Sequence, residues 1–262
     1  MLRVGIVAGE ASGDTLGAGL INAIKERVPD AQFVGIAGPQ MITAGCEPWW
    51  RMEELSVMGL AEVLRHLPRL IRLRRRLLRR FQEAELDVFI GIDSPDFNLP
   101  IALALKRTGL PTVQYVSPQV WAWRQSRVGA VSKAADLVLC LLPFETQFYD
   151  LHGVNARFVG HPLADSIPME TEKKSARKAL GIPLSGPYLT ILPGSRKFEV
   201  SRLANPYMKT AKWLCSNNPE LKILVGLANE ETYEIFLKMT RDVQLDSQTK
   251  LFVGQARKVM GA

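Results

Sequence analysis

A chain of 262 residues that is 47% hydrophobic can bury a sizeable core, enough for one full domain of ~100–200 residues and part of another, and its net charge of +7 draws it to anionic lipid head groups and phosphorylated substrates. Cys46, Cys140 and Cys215 are widely spaced with no CxxC pairing, which excludes a disulfide framework and a zinc site and fits a reducing compartment. Met1-Leu2-Arg3 leads straight into a strand, leaving no room for a signal peptide, and no apolar run approaches the ~20 residues of a membrane-spanning helix, so cytosolic residence is expected.

Taken in chain order, strands alternate with helices. Residues 3–8 read as a first strand, followed by a helix over 15–27 with Leu16, Leu20, Ile21 and Ile24 at helical spacing, then a strand over 32–37. Further strands are expected at 87–92, 112–116, 136–141 and 156–159, with short helices at 101–107 and 144–150. Such alternation predicts parallel pairing in a doubly wound α/β domain complete by about residue 160. The Pro-containing stretch 160–168 and the charged 170–178 read as a linker. A second sheet begins at 188–192, continues through a helix near 200–216 and adds strands at 222–226 and 250–253, which places the domains at 1–165 and 166–262. Residues 255–262 open a helix with no closing strands, so the second domain reads as incomplete and the chain as C-terminally truncated.

Three of these strands run into small, polar, Gly-bearing loops, and in open α/β sheets ligands bind just beyond such carboxyl ends. The first loop, Gly9-Glu10-Ala11-Ser12-Gly13-Asp14, lacks GxGxxG, and the next strand ends in Gly38-Pro39 where a ribose-binding acid would stand, so a nicotinamide dehydrogenase is disfavoured. Its backbone N–H groups and the following helix N-terminus suit a phosphate or sugar, with Glu10 and Asp14 accepting from hydroxyls. Alternatively, Ser12 or Asp14 caps the helix and Gly9 and Gly13 are turn residues. The second loop, Asp93-Ser94-Pro95-Asp96-Phe97-Asn98, offers a general base. A sugar hydroxyl is a poor nucleophile at neutral pH, and Asp93 at the end of a buried strand is placed to take its proton; Asp96 shares that work or caps the next helix. In the third loop Gly194 lets the backbone approach a ligand, Ser195 offers a hydroxyl and Arg196 a fork of donors suited to a diphosphate. The competing view has Ser195 capping the helix and Arg196 pairing with Glu199.

Between the first two loops, residues 65–80 hold eight arginines and no acid, interleaved with leucines and preceded by Val57-Met58-Gly59-Leu60. Basic and apolar residues on one helix suggest an anionic membrane surface held by Arg65, Arg69, Arg72, Arg75, Arg76 and Arg79. A solvated cationic helix packed on the sheet is the plainer alternative; nucleic acid is not expected, because no nucleic-acid-binding motif accompanies the charge. Trp49, Trp50, Trp121 and Trp123 are core or interface aromatics.

Five motifs in order, residues 9–14, 52–59, 91–98, Tyr115-Val116-Ser117-Pro118-Gln119-Val120-Trp121-Ala122-Trp123-Arg124 and Leu192-Pro193-Gly194-Ser195-Arg196, resemble the lipid-A-disaccharide synthase family over nearly the whole chain. The resemblance implies a GT-B glycosyltransferase, two Rossmann-like domains facing a cleft, peripheral on the inner face of the inner membrane of a Gram-negative bacterium. It implies transfer of 2,3-diacylglucosamine from UDP-2,3-diacylglucosamine to the 6-hydroxyl of 2,3-diacylglucosamine 1-phosphate, inverting to a β-1,6 disaccharide and UDP, with no metal or other cofactor. Asp93 is then the base, Arg196 part of the diphosphate site, and Asn98 joins Gly9, Glu10, Ser12, Gly13 and Asp14 on the acceptor side. Relatives of that family continue beyond Ala262 into further donor contacts. A UDP-sugar 2-epimerase-like enzyme on the same fold and an inactive membrane-binding fragment are the alternatives, and homo-oligomerisation is left open.

Overall fold

Among the described residues, the apolar runs of the first 167 positions form seven parallel strands with helical crossovers. In the computed structural model, which describes residues 1–55, 60–123, 125–243 and 248–262 apart from the side chains at 60–66 and 123, the chain divides into the units Met1–Ile167 and Pro168–Ala262. Val57, Met58, Gly59, Arg124 and the side chains of Arg65 and Trp123 lie outside the described residues.

In the first unit the order is β1 (Arg3–Ala8), α1 (Ala11–Arg27), β2 (Gln32–Ala37), α2 (Pro39–Thr43), β3 (Cys46–Arg51), α3 (Leu60–Glu83), β4 (Val88–Ile92) and α4 (Pro95–Lys106). There follow β5 (Thr112–Tyr115), α5 (Val120–Trp123), α6 (Val128–Ala134), β6 (Leu137–Cys140), α7 (Pro143–Asp150), β7 (Ala156–Phe158) and α8 (Pro162–Ser166). Strand order β3-β2-β1-β4-β5-β6-β7 makes the sheet doubly wound, with the reversal between β1 and β4. Alternate residues of each strand face opposite layers. Val7, Val34 and Phe89 pack with Leu73, Leu77 and Phe81 of α3 and Leu99, Ala102 and Leu105 of α4. Ile6, Ala8, Phe33 and Ile92 pack with Leu16 and Ile21 of α1 and Met41 of α2. Burying each large apolar side chain contributes about 1.5–3 kcal/mol, so both layers are held by the periodicity that predicted them.

Three departures from the sequence reading have physical causes. β3 was not expected because Cys46-Glu47-Pro48-Trp49-Trp50-Arg51 carries a proline and charges; it is an edge strand, where Pro48 need not donate, and its register against β2 shifts between Gly35 and Ile36. Trp49 and Trp50 pack against the core, Trp49 with its ring 5.3 Å from that of Phe81. α1 and α4 begin earlier than expected, so most of each polar loop is a first helical turn. Pro100 inside α4 cannot donate to the Asp96 carbonyl four residues back, and that oxygen instead accepts from Arg74 Nη1 at 3.4 Å. Finally, the stretch read as a linker contains α8, capped by His161 Nδ1 accepting from the Leu163 amide at 3.1 Å.

The second unit contains α9 (Lys173–Ala179), β8 (Tyr188–Ile191), α10 (Lys197–Asn217), β9 (Lys222–Leu227), α11 (Glu230–Met239), β10 (Thr249–Val253) and α12 (Ala256–Gly261). Its three parallel strands run in the order β10-β9-β8. Val200, Ala204 and Met208 of α10 and Phe236 of α11 cover one face, with Leu180, Ile182 and Val259 forming the smaller core on the other.

Candidate functional site

The switch point between β1 and β4 brings the first two loops together. Ala8 is level with Ile92, and Ile92 with Tyr115, so the carboxyl ends of β1, β4 and β5 lie side by side. A Cβ on Gly9 would come 2.5 Å from Ser94 Oγ, so the close approach of the two loops requires glycine there. Glu10 is the exposed N-cap residue of α1 and Ser12 is exposed in its first turn; Gly13 is buried against Ala8 and Ile92.

Asp14 is corrected. It is 2% exposed, and its two carboxylate oxygens accept from the Gln40 and Met41 amides at 2.9 Å each, so it caps α2 and neither faces a sugar hydroxyl nor caps its own helix. Gly38 keeps space for it, since a Cβ there would overlap the Asp14 carboxyl group.

Asp93 and Ser94 both adopt left-handed backbone, φ 49° and 41°, and Val116 at the end of the neighbouring strand has φ 77°. Each such non-glycine residue costs on the order of 1–3 kcal/mol and persists only when its surroundings over-determine it. Those surroundings are two buried amides. Asn98 Nδ2 donates to the Asp93 carbonyl at 2.9 Å and the Ile92 carbonyl at 3.2 Å; Gln114 Nε2 donates to the carbonyls of Asp93 at 3.1 Å and Val116 at 3.3 Å. Asn98 is thus a buried latch beneath the turn rather than a surface that meets an acceptor. The half-buried Asp93 stands on the strained turn at the switch point.

Asp96 faces the solvent. It lies on the first turn of α4 with its side chain 78% exposed, and its carboxylate forms an ion pair with Arg127. Leu55, Leu70 and Phe97 form the apolar wall of a pocket that Ser94, Pro95 and Asp96 complete.

The third loop belongs to the second unit. Gly194 has φ 127°, and the Ser195 and Arg196 amides both donate to Glu199 Oε2, at 3.0 and 3.1 Å. Arg196 is the N-cap residue of α10, and its Nη1 lies 3.6 Å from Glu199 Oε1. The donors read as an anion site therefore hold the chain's own carboxylate. The competing view of an Arg196–Glu199 pair is observed, although Arg196, not Ser195, occupies the N-cap.

Along α3, Arg72, Arg75, Arg76 and Arg79 recur at i, i+3, i+4 and i+7 on an exposed stripe opposite the buried Leu73, Leu77 and Phe81. Arg75, Arg76 and Arg79 have no side-chain partner among the described residues, and Arg72 Nε donates to the Pro68 carbonyl of its own helix at 3.3 Å. Arg69 pairs with Glu54 at 3.0 Å, and the Arg80 guanidinium lies 4.2 Å from the Trp49 ring centroid. Among the described residues no helix is long and apolar enough to cross a membrane, and no cluster of His, Cys, Asp and Glu has the makings of a metal site. Burial pushes the Cys46 and Cys140 thiols up to about 12, with nearby carboxylates adding to the shift, so neither is a nucleophile at neutral pH.

Gln114 was missed by sequence reading. Its signal was a polar side chain inside the apolar run Thr112-Val113-Gln114-Tyr115, which has to find partners when buried.

The family profile of Lipid-A-disaccharide synthetase matches residues 4–262. The Lipid-A-disaccharide synthase of Pectobacterium carotovorum is 51% identical over 259 residues, covering 99% of this chain and 68% of that protein. The Escherichia coli Lipid-A-disaccharide synthase is 50% identical over 261 residues, covering 100% of this chain and 68% of its own length. Among solved structures, S. aureus MnaA in its UDP co-structure aligns with TM-score 0.63 at 11% identity, covering 99% of this chain and 71% of that one. The calicheamicin glycosyltransferase CalG4 aligns with TM-score 0.53 at 14% identity, covering 96% and 70%. At these identities the structural likeness is one of fold, which is GT-B-like. With half its residues identical to these synthases over nearly its full length, the chain belongs to the lipid-A-disaccharide synthase family, glycosyltransferases of lipid A biosynthesis.

Proposed function

We propose that the chain transfers 2,3-diacylglucosamine from UDP-2,3-diacylglucosamine to the 6-hydroxyl of 2,3-diacylglucosamine 1-phosphate, with inversion at the anomeric carbon. The observation that carries the reading is the Asp93 turn: a carboxylate at the switch point of a doubly wound sheet, held in a costly backbone conformation by buried amides. The Asp93 carboxylate takes the proton of the acceptor hydroxyl as its oxygen forms the new bond to the anomeric carbon, while the bond to the diphosphate oxygen breaks and UDP leaves. Arg196 and the N-terminus of α10 meet the charge that develops on the diphosphate. To use the Ser195 and Arg196 amides, the diphosphate has to displace Glu199 from them. Gly9, Glu10, Ser12 and Gly13 border the acceptor, and the Leu55, Leu70 and Phe97 wall beside Ser94 suits an acyl chain.

The exposed Arg72, Arg75, Arg76 and Arg79 stripe supports peripheral attachment to an anionic cytoplasmic leaflet, each cation near the surface contributing about 1 kcal/mol. The direct test is to incubate the chain with both substrates, expecting a β-1,6 disaccharide 1-phosphate and UDP in equal amounts. UDP formed with a 2-epimerised sugar and no disaccharide would replace this reading with an epimerase. For the membrane, changing the four stripe arginines to Gln should release the protein from anionic vesicles at low salt; unchanged sedimentation would leave an ordinary solvated helix.

A further inference from the structure

We infer that Gln114 and Asn98 are positioning residues for the Asp93 carboxylate, two buried amides committed to holding the turn from which Asp93 is presented. The inference rests on the reading of Asp93 as general base. A polar side chain in a core is costly unless it is hydrogen-bonded, and an apolar residue of similar volume would fill the same space without that requirement. Gln114 is 2% exposed and Asn98 fully buried, yet neither amide N–H group serves the middle of the sheet. Gln114 Nε2 reaches the carbonyls of Asp93 at 3.1 Å, Val116 at 3.3 Å and Tyr115 at 3.5 Å; Asn98 Nδ2 reaches those of Asp93 at 2.9 Å and Ile92 at 3.2 Å. All five contacts end on residues at the carboxyl ends of β4 and β5, and the Asp93 carbonyl accepts from both amides.

That carbonyl needs them because the left-handed conformation at Asp93 and Ser94 turns the backbone away from the strand ladder, and a half-buried oxygen without a donor would unwind the turn. β4 contributes a gap for the same purpose. A Cβ on Gly91 would come 2.8 Å from Asn98 Cβ and 3.2 Å from Gln114 Oε1, so the strand omits a side chain where both amides pass. Residues 91, 98 and 114 come from β4, α4 and β5, and meet around one carbonyl. The adjoining Val116, a β-branched residue at φ 77°, is held by the same Gln114 amide, so one side chain secures both strained strand ends.

A base displaced by about 1 Å from its reacting geometry loses on the order of 10²-fold in rate. The test is Gln114→Met, which keeps the length of the side chain and removes its donors. Its kcat for disaccharide formation is expected to fall about 10- to 100-fold with KM for both substrates within about 2-fold of native, because binding is kept and the placement of the base is lost. Amide exchange over residues 93–98 should accelerate at least about 10-fold while that of β1 stays native. Should Gln114→Met not accumulate as folded protein, Asn98→Ala removes the other donor and carries the same readouts. Native kcat in a folded Gln114→Met protein, beside an inactive Asp93→Asn, would overturn the positioning role and leave the base reading standing. Native turnover in Asp93→Asn would overturn both.

Discussion

The turn after β4 and the turn after β8 start from one pattern, an apolar strand running into polar residues ahead of a helix, and reach different physical states. In the first, non-glycine residues are forced into left-handed backbone and fixed by amides buried beneath them. In the second, the left-handed position is occupied by Gly194, which adopts it without strain, and the polar donors are exposed and hold the Glu199 carboxylate. A group that must meet one hydrogen of one hydroxyl profits from rigidity. A site for a flexible, strongly charged diphosphate profits from donors that can be handed over. On the proposed reading, the stiff turn suits a base and the exposed donors an anion.

The largest expected effect breaks the stiff side. Asp93→Asn removes the base at nearly constant volume, and kcat for transfer should fall about 10²–10⁴-fold with thermal stability unchanged within 1–2 °C, a comparison of initial rates and melting curves. Native kcat would mean that the rigid turn serves something other than proton transfer.

Next comes the yielding side. Arg196→Ala should lower kcat/KM for the UDP-sugar on the order of 10²-fold, while Glu199→Gln, which weakens the internal competitor, should leave UDP binding equal or tighter by calorimetry. If Glu199→Gln instead weakens UDP binding as much as Arg196→Ala does, Glu199 is shaping the loop for the anion and the hand-over is wrong.

The third asks how far the rigidity extends. Asp14→Ala leaves the Gln40 amide and the buried Met41 amide unpaired and should cost about 1–3 kcal/mol of unfolding free energy, measured by urea titration, with a KM for the UDP-sugar that does not move.

The smallest effect lies at the far end of β5. Burial alone would raise the Asp136 carboxyl, but the Lys106 ammonium and the Thr112 amide and hydroxyl hold it below the ordinary carboxylate value. A group depressed in the folded state stabilises above its unfolded value near 4 and loses that contribution as the pH falls through the folded one. With its side chain 46% exposed, Asp136→Asn should therefore lower stability by less than about 1 kcal/mol at pH 7, and the gap should close as the pH is taken below about 4.

Much of this was legible beforehand, for reasons that differ by residue. The strand over 32–37 appears where expected because five consecutive buried positions leave no other way to satisfy apolar side chains and backbone together. The place of Asp93 at a strand end was legible because it follows such a run. β3 was not, since Pro48 and Glu47 argue against a strand unless it is known to lie at an edge. Nor was the early start of α4, because the tolerance of Pro100 depends on Arg74 from another helix reaching the Asp96 carbonyl. Asp14 was assigned by proximity in sequence, and its carboxylate is taken instead by partners distant in it, the Gln40 and Met41 amides.

By itself the sequence determined the alternation of strand and helix, the parallel sheet, the position of Asp93 at a strand end and the cationic stripe of α3, because each depends on local periodicity or on which residue follows a buried run. Only the tertiary structure decided which polar groups were already committed. Gln114 to the Asp93 carbonyl and Asp14 to α2 are pairings between residues distant in sequence, whose partners are chosen by how strands and helices stack.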